Sequence, residues 1–151
     1  MGFIYHRAVI IFFRNYQDEL DPNQGRAISS EDDLVSLLDH VRGQAPFIAE
    51  FCGAGDFHIE IGIGGDFGCV QYSRVDGKPP YLVAVSHRPP MKRGYIEFQC
   101  GGTPTPIPAR NILRFDELKE VVLHFMRTGE RSNTVSWRDL KEDAGRPLES
   151  F

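Results

Sequence analysis

The chain has 151 residues, of which 41% are hydrophobic and 25% are charged, and this composition is that of a globular protein rather than a disordered or fibrous one. Its 17 basic and 21 acidic residues give a net charge of -4, the wrong sign for a protein whose main partner is a phosphate backbone. We therefore expect one domain over residues 1–151 that needs neither metal nor disulfides for stability and does not bind nucleic acid directly.

The three cysteines, Cys52, Cys69 and Cys100, are an odd number and show no C-x-x-C spacing. Each lies in an apolar context, where a free thiol usually behaves as a small buried hydrophobe, and an odd count favours a reducing compartment. The longest apolar run near the N-terminus, residues 8–13, is too short for a signal peptide or a membrane span. The sequence thus predicts a cytoplasmic protein with no cofactor and no membrane contact.

The first part of the chain indicates a strand, an acidic loop and a helix. Residues 3–13 are rich in Ile, Val, Phe and Tyr, which favours a strand, and the polar stretch 15–24 that follows favours a loop. The loop carries three acids, Asp18, Glu19 and Asp21. Ser30 then precedes three acids and an apolar stripe with spacings of three and four residues, which predicts an amphipathic helix ending before Gly43.

From residue 46 to residue 100, hydrophobic residues recur at every second position, which is the period of a strand. Short runs rich in β-branched and aromatic residues alternate with clusters of Gly, Pro and Asp. The predicted strands are 47–52, 57–63, 67–73, 81–86 and 95–100. Gly64-Gly65-Asp66 suits a tight hairpin, so we expect neighbouring strands to pair antiparallel.

A second amphipathic helix is predicted after the proline-rich stretch 101–108, which we expect to be a loop. Asp116 is placed to cap this helix, an apolar face follows it, and Gly129 is placed to end it. Two helices that each have one apolar face need a sheet against which to bury it. The fold class is therefore α+β, an antiparallel β-meander of about five to six strands with two amphipathic helices packed on one face.

One short motif has the form of a metal site. His58-Ile59-Glu60 matches the H-x-E of zinc deaminases, but that chemistry also requires a downstream P-C-x-x-C, which the sequence lacks. The alternation of apolar and polar residues along 57–63 instead indicates that His58 and Glu60 are outward residues of a strand. We predict no metal site and no catalytic residues.

Two surfaces are candidates for binding a protein partner. Residues 1–60 contain four basic and ten acidic side chains, a balance of -6, so the loop with Asp18, Glu19 and Asp21 either is merely solvated or steers a basic partner. The second surface is the sheet face away from the helices. The alternation places six polar side chains there, Glu50, His58, Glu60, Tyr95, Glu97 and Gln99.

The C-terminal part carries a resemblance to a known family. The residues concerned are Gly101-Gly102, Ile107-Pro108, the helix through Phe125, Thr128-Gly129-Glu130-Arg131 and Val135-Ser136-Trp137-Arg138-Asp139-Leu140. Together they resemble the first immunity-protein family of bacterial polymorphic toxin systems, best over residues 81–140. Trp137, after a helix with an apolar face, is expected to pack against the core rather than to bind a partner.

The resemblance implies a cytoplasmic α+β inhibitor, without enzymatic activity, that covers the active site of the toxin encoded beside it. Such a toxin is typically a basic, nucleic-acid-modifying deaminase or nuclease. For this chain the expected contact residues are Asp18, Glu19, Asp21, Glu60, Tyr95, Glu97 and Gln99. Two other classes stay open, namely a small cytosolic enzyme that uses a Cys or His in a sheet cleft, and a ligand-binding module.

Overall fold

The computed structural model describes residues 10–16 and 19–143, which form ten strands and two α-helices. The strands are β1 (Ile11–Asn15), β2 (Ala27–Ile28), β3 (Phe47–Cys52), β4 (Phe57–Gly64), β5 (Phe67–Arg74), β6 (Tyr81–Val85), β7 (Tyr95–Cys100), β8 (Thr103–Pro108), β9 (Leu113–Arg114) and β10 (Ser136–Asp139). The helices are α1 (Glu31–Val41) and α2 (Phe115–Thr128), with short 3-10 helices at Ala109–Asn111 and Leu140–Asp143. Neither α-helix is long and apolar enough to cross a membrane.

The main path of the sheet runs in the order β10-β6-β5-β4-β3-β1-β2, and every neighbouring pair on it is antiparallel. Strand β9 pairs with β5, and β7 pairs with β8. The predicted α+β class is confirmed, as is the antiparallel meander through β3, β4, β5 and β6. The predicted count of five to six strands is wrong, because the described residues form a sheet of ten.

The missed strands carry weak sequence signals. Strands β2 and β9 have two residues each, too few to show a period. Strand β8 lies in the stretch 101–108 that was expected to be a loop. Its prolines occupy every second position, and among the described strands β8 pairs only with β7. The N–H groups that proline lacks would therefore all lie on the edge of β8 that no described strand joins.

The helix ends have local causes. Ser30 caps α1, and its Oγ accepts a hydrogen bond of 3.1 Å from the backbone N of Asp33. Helix α2 begins at Phe115, two residues earlier than a cap at Asp116 requires, so that prediction is wrong. Glu117 instead accepts a hydrogen bond from the backbone N of Arg114, the capping residue. Gly129 ends α2 with a φ of 72°, a conformation that favours glycine.

A hydrophobic core lies on each face of the sheet. The larger core lies between one face and the two helices, as predicted, and includes Phe51 and Ile61 from the sheet and Leu38 and Val122 from the helices. A smaller core lies on the opposite side, here called the outer face, and contains Ile48, Cys69, Phe98 and Ile112.

The β7–β8 hairpin builds this smaller core, and its position differs from the prediction. Strand β7 was expected to continue the meander, but it touches β3 through one parallel pair, Phe47 with Gln99. Phe98 packs across the sheet onto Gly62. A Cβ at position 62 would lie 2.9 Å from the ring of Phe98, so glycine permits the close approach. The hairpin therefore covers one end of the outer face and leaves the other end open.

Candidate functional site on the outer sheet face

The strand registers arrange the outer-face residues in rows that run across the sheet. One row is Phe12, Cys52, His58, Ser73 and Tyr81, and the next is Arg14, Glu50, Glu60, Gln71 and Val83. A third row, with Ile48, Gly62 and Cys69, lies beneath the hairpin. We call the first two rows the open sheet face, because their residues do not belong to the smaller core beneath the hairpin.

A polar cluster occupies the middle of the open sheet face. His58 Nδ1 lies 3.3 Å from Glu50 Oε2, and its Nε2 lies 3.2 Å from Ser73 Oγ and 4.0 Å from Glu60 Oε1. The Tyr16 hydroxyl donates a hydrogen bond to the Glu50 carboxylate. Glu50 and His58 are 15% exposed, whereas Glu60 is 37% exposed. Glu60 is thus the acid of the cluster that a partner reaches most easily.

Burial changes the acidity of two members of the cluster. It raises the pKa of Glu60, and the neighbouring Glu50 carboxylate adds to that increase while His58 opposes it. It also raises the pKa of Tyr16, with further contributions from the hydrogen bond to Glu50 and from its charge. A cation brought to Glu60 would relieve this unfavourable burial of negative charge.

The cluster also has the donor set of a metal site. Ligand atoms of Glu50, His58 and Glu60 all lie within 4.8 Å of one another, so one imidazole and two carboxylates could bind a divalent ion. The contact between His58 and Glu50 explains the arrangement without an ion. The predicted outward orientation of His58 and Glu60 is confirmed, and the prediction that they bind no metal stays a prediction.

The contacts from Ser73 through His58 to Glu50 follow the connectivity of a Ser-His-acid triad. A nucleophilic hydroxyl must be reached by its substrate, and Ser73 is only 3% exposed. The arrangement is equally a network that satisfies polar groups on neighbouring strands, since His58 and Ser73 are direct cross-strand partners.

A cleft of about 390 Å³ lies between β8 and the open sheet face. Its walls are mainly apolar and come from both layers, including Ile48, Val83, Cys100, Pro106, Ile107 and Leu140. Glu60 is the one charged residue among the described residues that line it, and Gln71 and Asn111 add amide groups. Cys69 lies at its base, where burial raises the pKa of the thiol to about 12.

The family comparison can be set beside this geometry. The model of the family described as Immunity protein Imm1 matches residues 23–139, more than three quarters of the chain. The chain belongs to this family. The match includes both helices and strands β2 to β10, so it extends well beyond residues 81–140, where the resemblance was expected to be best. A comparison with curated proteins gave no match.

In this Imm1 protein the three predicted contact residues of β7 do not join Glu60. Tyr95, Glu97 and Gln99 alternate with Ile96 and Phe98, which face the smaller core. Tyr95 and Glu97 are exposed on the far side of the hairpin, and the backbone N of Gln99 donates to the carbonyl oxygen of Pro46. They form a surface separate from the open sheet face.

The acids of the predicted loop differ in their exposure to solvent. Glu19 is exposed. Asp21 is only 8% exposed, and its carboxylate accepts hydrogen bonds of 2.8 Å from the Asn15 side chain and from the backbone N of Asn23. Asp21 therefore stabilises the turn, and its role as a contact residue stays a prediction. Asp18 lies outside the described residues.

Sequence reasoning missed Gln71 and Ser73, which the Imm1 fold places directly opposite Glu60 and His58. A signal for them exists. Gly65 and Asp66 form a two-residue turn between the paired residues Gly64 and Phe67, and that turn sets the whole register between β4 and β5.

Proposed function

We propose that this Imm1 protein is an immunity protein that binds and neutralises a cognate toxin of a bacterial polymorphic toxin system. It acts in the cytoplasm, where it covers the toxin's active site. The observation that carries the proposal is the family match over residues 23–139. The toxin is a nucleic-acid deaminase or nuclease, as the resemblance implies.

Charge supports a partner of this class. An enzyme that acts on nucleic acid needs a positive groove to attract phosphates, so an inhibitor of that groove benefits from negative charge. This chain carries a net charge of -4, and Glu50 and Glu60 are direct cross-strand partners on the open sheet face. The same charge disfavours direct binding of nucleic acid by the inhibitor.

The open sheet face around Glu60 is the main contact surface in this proposal. Tyr95, Glu97 and Gln99 on the far side of the hairpin form a second surface, and the loop with Asp18 and Glu19 steers the toxin from a distance. A flat polar face beside an apolar cleft has the mixture of rim and pocket found in specific protein interfaces.

The proposal is tested with the toxin domain encoded by the neighbouring gene. Calorimetry is expected to show that the two purified proteins form a one-to-one complex. In this complex the toxin is expected to be inactive on DNA or RNA. A toxin domain of the same chemistry from another locus serves as the control. Full toxin activity in the presence of excess immunity protein would contradict the proposal.

A second candidate function is a small hydrolase that uses Ser73, His58 and Glu50, motivated by their contacts beside the cleft. The burial of Ser73 argues against it. Hydrolysis of activated esters at a rate that Ser73→Ala abolishes would support this candidate, and an equal rate in the variant would exclude it.

A further inference from the structure

The cleft beside the open sheet face has a distinctive combination of charge and shape. Its one charged group among the described residues is the carboxylate of Glu60, and it lies against apolar walls formed by Val83 of the sheet and Ile107 of the hairpin. Val83 is 8% exposed and belongs to the sheet itself, so the floor of the cleft is part of the folded framework.

The negative charge in the cleft is poorly compensated. Among the described residues, the basic group in contact with Glu60 is Nε2 of His58 at 4.0 Å, and that nitrogen lies closer to Ser73 Oγ, at 3.2 Å. Glu50 stands beside Glu60 and repels it. The guanidinium of Arg14 is directed to the Tyr16 ring, with its carbon 5.1 Å from the centroid. A cation supplied by a partner would complete the pairing.

The walls select among cations. The long stem of an arginine packs favourably on apolar surface, and its planar fork offers five N–H donors. Gln71 and Asn111 line the cleft with Glu60. The amide nitrogen of Asn111 donates to the carbonyl oxygen of Ala84, which leaves its amide oxygen as the group to offer a ligand. An ammonium group would use fewer of these acceptors.

Building on the proposed function, we propose that the cleft receives one arginine side chain of the toxin, whose guanidinium pairs with Glu60 while its stem lies between Val83 and Ile107. The arginine would come from the positive groove that the toxin uses to hold phosphate. The immunity protein would then block the toxin by occupying a substrate-binding group.

The test measures association and dissociation rate constants of the toxin with four variants. Glu60→Gln is expected to raise the dissociation rate constant by at least about 30-fold, since removing one partner of a buried charge pair is costly. Glu120→Gln, the matched control at an exposed position of helix α2 on the other side of the sheet, is expected to change it less than about 3-fold. Thr105→Trp fills the cleft and is expected to weaken binding, whereas Thr103→Trp on the same strand is not.

The outcomes separate this inference from the function itself. If the wild-type protein does not bind the toxin, the proposed function fails. If it binds and both Glu60→Gln and Thr105→Trp bind within about 3-fold of it, the function stands and the cleft proposal is wrong. Equal weakening by Glu60→Gln and Glu120→Gln would also overturn the proposal, because it indicates long-range attraction rather than a pair in the cleft.

Discussion

A carboxylate placed beside a second carboxylate and an apolar wall costs free energy only while it is ionised. Glu60 is in this position, and burial raises its pKa in the folded protein. Folding therefore favours its protonated form, and the associated stability is lost as the pH rises through the raised pKa. Relative to wild type, Glu60→Gln is expected to gain melting temperature between pH 4.5 and pH 7.5.

Calorimetric melting of both proteins at the two pH values checks this sign. In the part of the chain that the structure describes, the charged groups that face Glu60 are Glu50 and His58, and both are present in the two proteins compared. Glu97→Gln, an exposed change of the same kind, is expected to show no such trend. A Glu60→Gln protein that melts lower than wild type at pH 7.5 would mean that the carboxylate already has a favourable internal partner.

Gly62 controls how closely the hairpin approaches the sheet. A Cβ there would lie 2.6 Å from Cys69 Sγ and 2.9 Å from Phe98 Cδ1. Gly62→Ala is expected to cost about 1 to 3 kcal/mol in the free energy of unfolding, as overpacking usually does. It is also expected to speed hydrogen exchange at the backbone N of Gln99, which bonds to Pro46.

Urea denaturation gives the free energy, and Gly55→Ala is the matched control because nothing lies within 4 Å of a Cβ at that position. Equal stability of the Gly62→Ala protein and wild type would show that the hairpin does not rest on the sheet in solution.

The donor set of Glu50, His58 and Glu60 leads to a prediction about metal content. We expect purified protein to hold far less than one equivalent of zinc or manganese by mass spectrometry, since His58 already contacts Glu50 and Ser73. Stoichiometric metal that disappears in His58→Ala would identify the cluster as a metal site instead.

At the scale of elements, β10 joins the sheet as an edge strand beside β6 and carries Trp137. The indole packs against the larger core, 6.1 Å from the Tyr72 ring between centroids, and its Nε1 donates to the carbonyl oxygen of Ser132 at 2.8 Å. Because the ring is only partly buried, Trp137→Ala is expected to cost about 3 kcal/mol, the lower end for large aromatic residues.

Chemical denaturation measures this cost. Trp137→Phe, which keeps a ring but loses the hydrogen bond to Ser132, is expected to lose about 1 kcal/mol. If Trp137→Ala instead unfolds at the wild-type midpoint but no longer binds the toxin, the residue belongs to the interface and its assignment to the core is wrong.

The elements differ in how far their sequences predict them. Strands β3 and β7 match the predicted bounds. Each has six residues and is rich in aromatic or β-branched side chains, which is long enough to give a clear strand signal. Strand β8 escaped prediction because proline at every second position normally indicates a loop, and only an edge strand tolerates it. The start of α2 was misplaced because Arg114, which has no usual capping chemistry, occupies the capping position.

The candidate site could also be predicted only in part, because alternation along a strand does not show how strands pack in three dimensions. Alternation within β4 correctly places His58 and Glu60 on one side of the sheet. Alternation within β7 likewise separates Glu97 from Phe98, but it does not tell in which layer β7 lies. That depends on Gly62 and on contacts between residues distant in sequence, so the separation of Glu60 from Glu97 was not predictable.

At the scale of the whole molecule, the uneven distribution of charge is expected to act on the rate of association. Asp18→Asn combined with Glu19→Gln is expected to slow toxin association several-fold at low salt and to have little effect at high salt, because exposed charges are screened. Glu60→Gln combined with Glu97→Gln is expected to act mainly on dissociation. Stopped-flow binding across salt concentrations separates the two.

If neither double variant changes either rate constant, the toxin docks elsewhere and electrostatic complementarity is not how it is recognised.

The hairpin covers the sheet at one end only, and this asymmetry bears on how the gene can diverge. Beneath the hairpin, Gly62 and Cys69 face a second core, so substitutions there disturb packing. On the open sheet face, Glu60 and Gln71 belong to neither core, so substitutions there do not disturb the packing of a core. A lineage can therefore alter its partner preference at one end of these strands while the other end preserves the fold.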